Sequence, residues 1–369
     1  MQFTPGDPVP LFSADTHGTR QFQFGASAGR LVVLSFLGEA RRESFLQFHA
    51  ELEALRPVFD DERFCFFGVS LGGSDFAPGG LTEILPGIRW FHDADGAISK
   101  LYGALAEHEG KPRSYQPFSL LLDQRLRVLA VLPLSGGGID RHLARLIAQG
   151  VSLPAYGPAA PAERQAPVLV VPRVFEPEFC EQLLRYYRDT GSEDSGFMRD
   201  QDGKTVGVYD YGTKRRRDCT IEDDALRRQC MYRIHRRLVP EIKRAYQFAA
   251  TRMERYIVAC YEGEHGGHFR AHRDNTTRAT AHRRFAVSIN LNEGYEGGEI
   301  WFPEYGRQLF KPVAGEAVVF SCSMLHEATP VRSGTRFVFL PFLYDDEAAA
   351  LRQDTERFLG GNINSPPGG

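Results

Sequence analysis

The first 150 residues alternate continuous apolar runs with amphipathic ones. Residues 31–37 and 64–69 are apolar almost throughout, as strands buried on both faces are. Residues 43–55 set Phe45, Phe48, Leu52 and Leu55 at helical spacing. A short helix is predicted over 97–105 and a closing helix over 139–148. Residues 118–122 and 126–132 read as two strands of a hairpin, joined by Asp123-Gln124-Arg125. This order predicts an α/β sheet layered by helices. Pro154, Pro158 and Pro161, with Gly157 and several alanines, then interrupt all periodicity and mark a linker.

The second half is patterned differently. A strand over 168–171 precedes a helix opened by Pro177, with Phe179, Leu183, Leu184 and Tyr187 on one face. Residues 192–220 are polar, Gly-rich and charged. A long helix follows over 223–247, where Leu226, Cys230, Ile234 and Leu238 repeat every four residues, and Pro240 should kink or split it. From residue 255 to 342 the chain offers short β-rich runs separated by Gly/Pro turns, which predicts a sandwich or barrel. A polar helix over 346–359 and a frayed tail from Gly360 close the chain. The expected division is 1–150, a linker over 151–166, 167–345, and 346–369.

Composition changes little in this picture. At 369 residues, 42% hydrophobic and 25% charged, the chain suits two globular domains. A net charge of −3 gives no global reason to bind nucleic acid or an anionic membrane. The six cysteines form no CxxC pair or zinc spacing, so reduced, buried thiols and a cytoplasmic location are expected. The opening residues lack the features of a secretory signal, and no run reaches membrane-spanning length. Locally, Lys214-Arg215-Arg216-Arg217 is basic; it reads first as a solvated loop, second as a contact for an acidic substrate or partner.

Candidate chemistry concentrates between Tyr261 and Arg336. His272 and Asp274 are one residue apart, so in extended backbone they share a side. His326 follows 54 positions after His272. Two imidazoles and a carboxylate suit a ferrous ion and leave coordination positions open. Arg336, ten positions further on, offers a guanidinium that matches a carboxylate. His265, His268 and His282 crowd the same region as competing ligands. Gly263, Gly266 and Gly267 make a helical His268-x-x-x-His272 pair improbable, and there is no HExxH. His265 and His268 are expected at the site rim and His282 in solvent. Tyr209 and Tyr211 either line the substrate entrance or anchor a loop.

Several motifs carry a family resemblance. They are Tyr261-Glu262-Gly263, His272-Arg273-Asp274, Leu291-Asn292 before Gly297-Gly298-Glu299, Phe302-Pro303, Leu325-His326-Glu327 and Ser333-Gly334-Thr335-Arg336. Together the region resembles the prolyl 4-hydroxylase-like branch of the Fe(II)- and 2-oxoglutarate-dependent dioxygenases. The resemblance implies a mainly-β double-stranded β-helix (jelly roll) with bracing helices. It implies Fe(II) held by His272, Asp274 and His326, with 2-oxoglutarate and O2 as co-substrates and ascorbate as a candidate reductant. It also implies that Arg336 and Tyr261 hold the far carboxylate of 2-oxoglutarate. The first domain resembles a thioredoxin-like fold of the peroxiredoxin type, through Gly6-Asp7-Pro8-Val9-Pro10, the strand over 31–37 and His92-Asp93-Ala94-Asp95-Gly96. The family's reactive cysteine belongs where this chain has Gly38-Glu39-Ala40-Arg41-Arg42-Glu43-Ser44. Cys65, the only thiol of that domain, reads as a core residue, so no thiol chemistry is expected. The same resemblance suggests a cis Gln116–Pro117 bond.

The implied reaction hydroxylates a C–H bond and releases succinate and CO2. Its target would be a prolyl residue of a peptide or protein, or a small metabolite. The rival class is a non-catalytic sensor of 2-oxoglutarate or iron that binds a protein partner through its thioredoxin-like half.

Overall fold

The computed structural model describes residues 3–39, 45–76, 80–108, 111–134, 141–153, 165–364 and 366. The chain divides into two compact units, Met1–Ala160 and Pro161–Gly369.

The first unit holds a five-stranded sheet in the order Ile88–His92, Phe64–Ser70, Leu31–Gly38, Phe118–Leu122, Val128–Pro133. The first three strands are parallel and the last two antiparallel to their neighbours. All eight residues of Leu31–Gly38 and all seven of Phe64–Ser70 are buried, because each face of the sheet has its own apolar layer. One layer joins Val33 and Phe66 to Phe48 and Leu52 of helix Leu46–Ala54 and to Leu143 and Leu146 of helix His142–Val151. The other joins Val32 and Phe67 to Phe24, Ile98 and Tyr102. Glu51 caps the start of helix His142–Val151 by accepting from the Leu143 and Ala144 amides, at 3.1 and 2.9 Å.

The cis peptide among the described residues is Leu85–Pro86, not Gln116–Pro117. Extended backbone there keeps the usual trans form, with the Gln116 amide bonded to Ala104 O at 2.8 Å. Residues 40–44, where the reactive cysteine of a peroxiredoxin would belong, lie outside the described residues, as does most of the linker. Cys65 is fully buried, and that burial pushes its thiol up to about 12.

The second unit is built on two main antiparallel sheets, beside a three-stranded sheet of Phe197–Gln201, Lys204–Val208 and Leu359–Asn362 and a two-stranded one of Glu296–Gly297 and Val331–Ser333. The larger runs Leu169–Val171, Ala317–Ser321, Phe285–Asn290, Thr335–Phe339, Ile257–Glu262, Arg217–Thr220, Glu193–Asp194, with Arg252–Glu254 and Phe342–Tyr344 attached off that path. The smaller runs Lys214–Arg215, His268–His272, His326–Ala328, Ile300–Trp301, Leu309–Phe310. The two-residue period of a strand sorts the larger sheet's side chains. Val258, Val287, Ile289 and Phe339 face helices, packing on Phe179, Leu183, Leu226, Ile234 and Ile242. Their neighbours Ala259, Tyr261, Ala286 and Val338 belong to separate clusters, with Phe320, Ile300 and Phe269. Ser288, Asn290 and Arg336 alternate in the same way, so these polar residues share the inner face with Tyr261 and Ala286.

The long helical stretch is split as its sequence suggests. Helix Asp224–Arg233 passes through a π-helical turn, Ile234–Leu238, into helix Val239–Tyr246, just where Pro240 removes an amide donor. The tail differs from expectation. Leu359–Asn362 is a strand, parallel to Lys204–Val208, and Asn364 exchanges two hydrogen bonds with the Tyr209 backbone. Backbone pairing holds this glycine-rich end where side-chain burial could not. Among the described residues no helix is long and apolar enough to cross a membrane.

Candidate metal and co-substrate site

His272 is the last residue of strand His268–His272 and pairs directly with His326 of the neighbouring strand. Asp274 lies two residues past that strand's end, where its amide bonds to Cys322 O at 3.0 Å. The distant pair is thereby closed: His272 Nε2 lies 3.5 Å from one Asp274 oxygen and His326 Nε2 lies 3.3 Å from the other. One potential ligand atom from each of the three residues falls within 4.8 Å of the others.

The ring nitrogens are already sorted. His272 Nδ1–H donates to Arg270 O at 2.7 Å, and His326 Nδ1–H donates to Met324 O at 3.1 Å. Each bond fixes the tautomer that leaves Nε2 as a lone pair, the form a metal requires. Burial is the largest influence on His326 and pushes it down to about 4, so it is neutral at neutral pH. Burial alone would raise Asp274, but His326 and His272 beside it hold its carboxyl well below the usual range. Two imidazoles that present Nε2 and an ionised carboxylate fit a ferrous ion.

Arg336 lies on strand Thr335–Phe339 of the larger sheet, paired with Tyr261. It is 2% exposed. Its guanidinium donates to Asn290 Oδ1 at 3.0 and 3.2 Å and to Ser288 Oγ at 3.0 Å. Asn290 is held in turn by its own amide, which donates to the Tyr295 hydroxyl and to Pro312 O. The Tyr261 ring packs under Arg336, centroid 5.4 Å from the guanidinium carbon. Among the described residues no carboxylate lies within ion-pair distance of Arg336. A buried cation without a counter-ion is costly, which points to an anion that arrives with a ligand. The Gly297–Gly298 pair makes room for it: a Cβ on Gly298 would stand 3.0 Å from Arg336 Cδ and 2.8 Å from a Val331 methyl, at φ +67.

Two cavities meet at the triad. A small one of about 70 Å³ runs from His272, Asp274 and His326 to Tyr261, Ser288 and Arg336. A wider cleft of about 520 Å³ shares His272 and Asp274 and opens past Phe197, Met198, Lys214 and Arg283.

The five residues singled out in the sequence thus line one cavity. Others fall elsewhere. His282 is buried rather than exposed, with Nε2 3.0 Å from Glu254. His268 is also buried, within hydrogen-bond distance of the Gly266 and Gly212 carbonyls, and lines neither cavity. His265 is exposed beside Glu262. Tyr211 donates to Asp194 at 2.6 Å and Tyr209 holds Asn364, so both anchor loops. The basic run is no solvated loop: Lys214, on strand Lys214–Arg215, and Arg216, between that strand and Arg217–Thr220, are 4% and 6% exposed. Arg255, Ser288 and Asn290 had no motif to reveal them, although the two-residue spacing of Ser288 and Asn290 placed them on one face.

Residues 256–344 match the sequence profile of the 2OG-Fe(II) oxygenase superfamily. A PKHD-type hydroxylase of Shewanella oneidensis is 28% identical over 195 residues, 49% of this chain and 80% of its own length. The PKHD-type hydroxylase PiuC of Pseudomonas aeruginosa is 33% identical over 109 residues, covering 27% of this chain and 46% of its own. Among solved structures, a prolyl hydroxylase from Trichoplax adhaerens is 17% identical with a TM-score of 0.38, covering 50% of this chain and 86% of its own. The peroxidoxin BcpB of Mycobacterium tuberculosis is 19% identical with a TM-score of 0.37, covering 42% of this chain and all of its own. The matched segment is the one that carries the His–Asp–His cluster and Arg336, a 2OG-Fe(II) oxygenase domain in the C-terminal part of the chain.

Proposed function

We propose that this protein is an Fe(II)- and 2-oxoglutarate-dependent dioxygenase that hydroxylates a C–H bond. One observation carries the reading: a buried Arg336, with no carboxylate partner among the described residues, lies in the same cavity as two histidines whose Nε2 atoms are preset to bind a metal. His272, Asp274 and His326 would hold the metal. When bound, iron and 2-oxoglutarate supply the oxidising power, with O2 as oxidant and succinate and CO2 as co-products. Arg336 fixes the far carboxylate of the co-substrate by paired hydrogen bonds, and Tyr261 supports it from the neighbouring strand. The apolar wall of Ile300, Phe320 and Phe342 keeps water from the reacting centre. The hydroxylase relatives support the reaction type. A prolyl residue and a small metabolite are the two candidate targets, and the wider cleft is where either would enter.

The test is succinate release from 2-oxoglutarate with Fe(II), O2 and a peptide and metabolite library. A mass gain of one oxygen identifies the target. Absence of succinate from protein shown to bind both iron and 2-oxoglutarate would leave the sensor reading in its place.

A further inference from the structure

The two cavities are lined by six cationic side chains, Lys214, Arg216, Arg255, Arg273, Arg283 and Arg336, against one acidic residue, Asp274. Three of the six are matched behind the wall. Arg216 pairs with Asp218 at 2.7 Å, Arg283 with Glu254 at 2.6 Å, and Arg273 with Glu304 at 2.8 Å. Arg336 is accounted for by the co-substrate. Lys214 and Arg255 remain.

Lys214 Nζ donates to Ser195 Oγ at 2.7 Å and Gly196 O at 2.6 Å, and lies 4.9 Å from the centroid of Phe269. No carboxylate lies within ion-pair distance among the described residues, and one of its three donors is uncommitted. Among the described residues the carboxylate within ion-pair distance of Arg255 is Asp218, at 3.4 Å, and that oxygen already accepts from Arg216 and from Ser195 Oγ at 2.5 Å; the guanidinium carbon also lies 5.4 Å from the centroid of Phe342. Its backbone is in the left-handed region at φ +65, a strained conformation for a residue with a side chain. That strain sits at the corner between strands Arg252–Glu254 and Ile257–Glu262, where the side chain joins both cavities. Burial first, then Arg216, pushes both groups below their usual pKa, Arg255 to about 10. An incoming anion relieves that penalty. Beside them Phe197, Met198 and Phe269 supply an apolar wall.

We propose that the primary substrate is a small carboxylic acid, its carboxylate bound by Lys214 and Arg255 and its apolar body lying along Phe197, Met198 and Phe269. The inference rests on the oxygenase reading of the same site and narrows it: an uncharged prolyl segment would leave this cation pair unanswered.

The test is binding to the intact chain, read as a melting-temperature shift and then by calorimetry. The probes are N-acetyl derivatives of the uncharged amino acids and the matching N-acetyl amides, which lack the carboxylate. N-acetyl-glutamate α-amide, which retains only the side-chain carboxylate, separates a side-chain acid from a terminal one. Acids should raise the melting temperature and amides should not. Lys214→Met and Arg255→Gln should each weaken the best acid about tenfold to a hundredfold, the size of one lost charge-assisted contact. An acid lost on Arg336→Met but kept by the other two variants would be occupying the co-substrate anchor, and that result overturns the proposal. Should Lys214→Met fail to fold, Arg255→Gln decides, because its side chain is 29% exposed. Amides that bind as well as acids, no acid that binds, or an acid that survives both changes overturns the proposal. The readout is independent of turnover, so acid binding without succinate release would instead sink the oxygenase reading.

Discussion

Replacing Arg336 by methionine isolates the co-substrate anchor. The side chain is 2% exposed and gives three hydrogen bonds to Ser288 and Asn290, with no carboxylate partner among the described residues. Any carboxylate it binds is therefore largely desolvated. Truncating one partner of such a pair costs roughly 2–5 kcal/mol, which is about thirtyfold to several thousandfold in affinity. The unliganded protein loses a buried cation together with its three bonds. These terms oppose one another, so its stability should change by only about 1 kcal/mol. Titration calorimetry with 2-oxoglutarate, on wild type and variant loaded with the same divalent metal, measures the first quantity. Urea unfolding without ligand measures the second. The wild type should also gain thermal stability from 2-oxoglutarate by mass action, and the variant should lose that gain. A variant that binds 2-oxoglutarate within threefold of wild type would refute the assignment and leave the missing counter-ion unexplained.

Asp274→Asn removes the only charged ligand of the cluster and should weaken divalent-metal binding by about a hundredfold or more, measured by metal titration. Glu254 gives a pH signature. Burial would raise its pKa, but His282 and Arg283 hold it down to about 2 from an ordinary 4.5. A depressed carboxylate stabilises the fold above its unfolded pKa. Its contribution, about 3 kcal/mol, should vanish as pH falls from about 4.5 to about 2, and Glu254→Gln should flatten that limb of the acid unfolding curve. Cys65 and the five other thiols are all buried. Alkylation of the native protein should therefore label none of them rapidly and denaturation should expose all six; fast labelling of Cys65 would reopen thiol chemistry in the first unit.

Sequence alone reached the parts of the site that depend on local spacing. The two-residue period gave the strands, and the almost wholly apolar runs 31–37 and 64–69 gave a sheet covered on both faces. His272 and Asp274, two apart, and Arg336, ten beyond His326, stood out because few arrangements other than a metal with an anion site use those residue types together. Pro240 located the break in the long helix for a covalent reason, its missing amide.

What the chain's order could not decide was the environment of each charge. Lys214 and Arg216 look like any basic loop, and their burial depends on the strands Lys214–Arg215 and Arg217–Thr220 pairing with His268–His272 and Ile257–Glu262, which lie far along the chain. His282 reads as solvated until Glu254, from another strand, closes on it. Arg255 has no motif at all; its direction comes from a left-handed backbone at a strand corner. Hydrophobic periodicity records which side chains avoid water. It does not record where a buried cation finds, or lacks, its counter-ion, because that is settled by residues distant in sequence that only the folded sheets bring within a few ångströms.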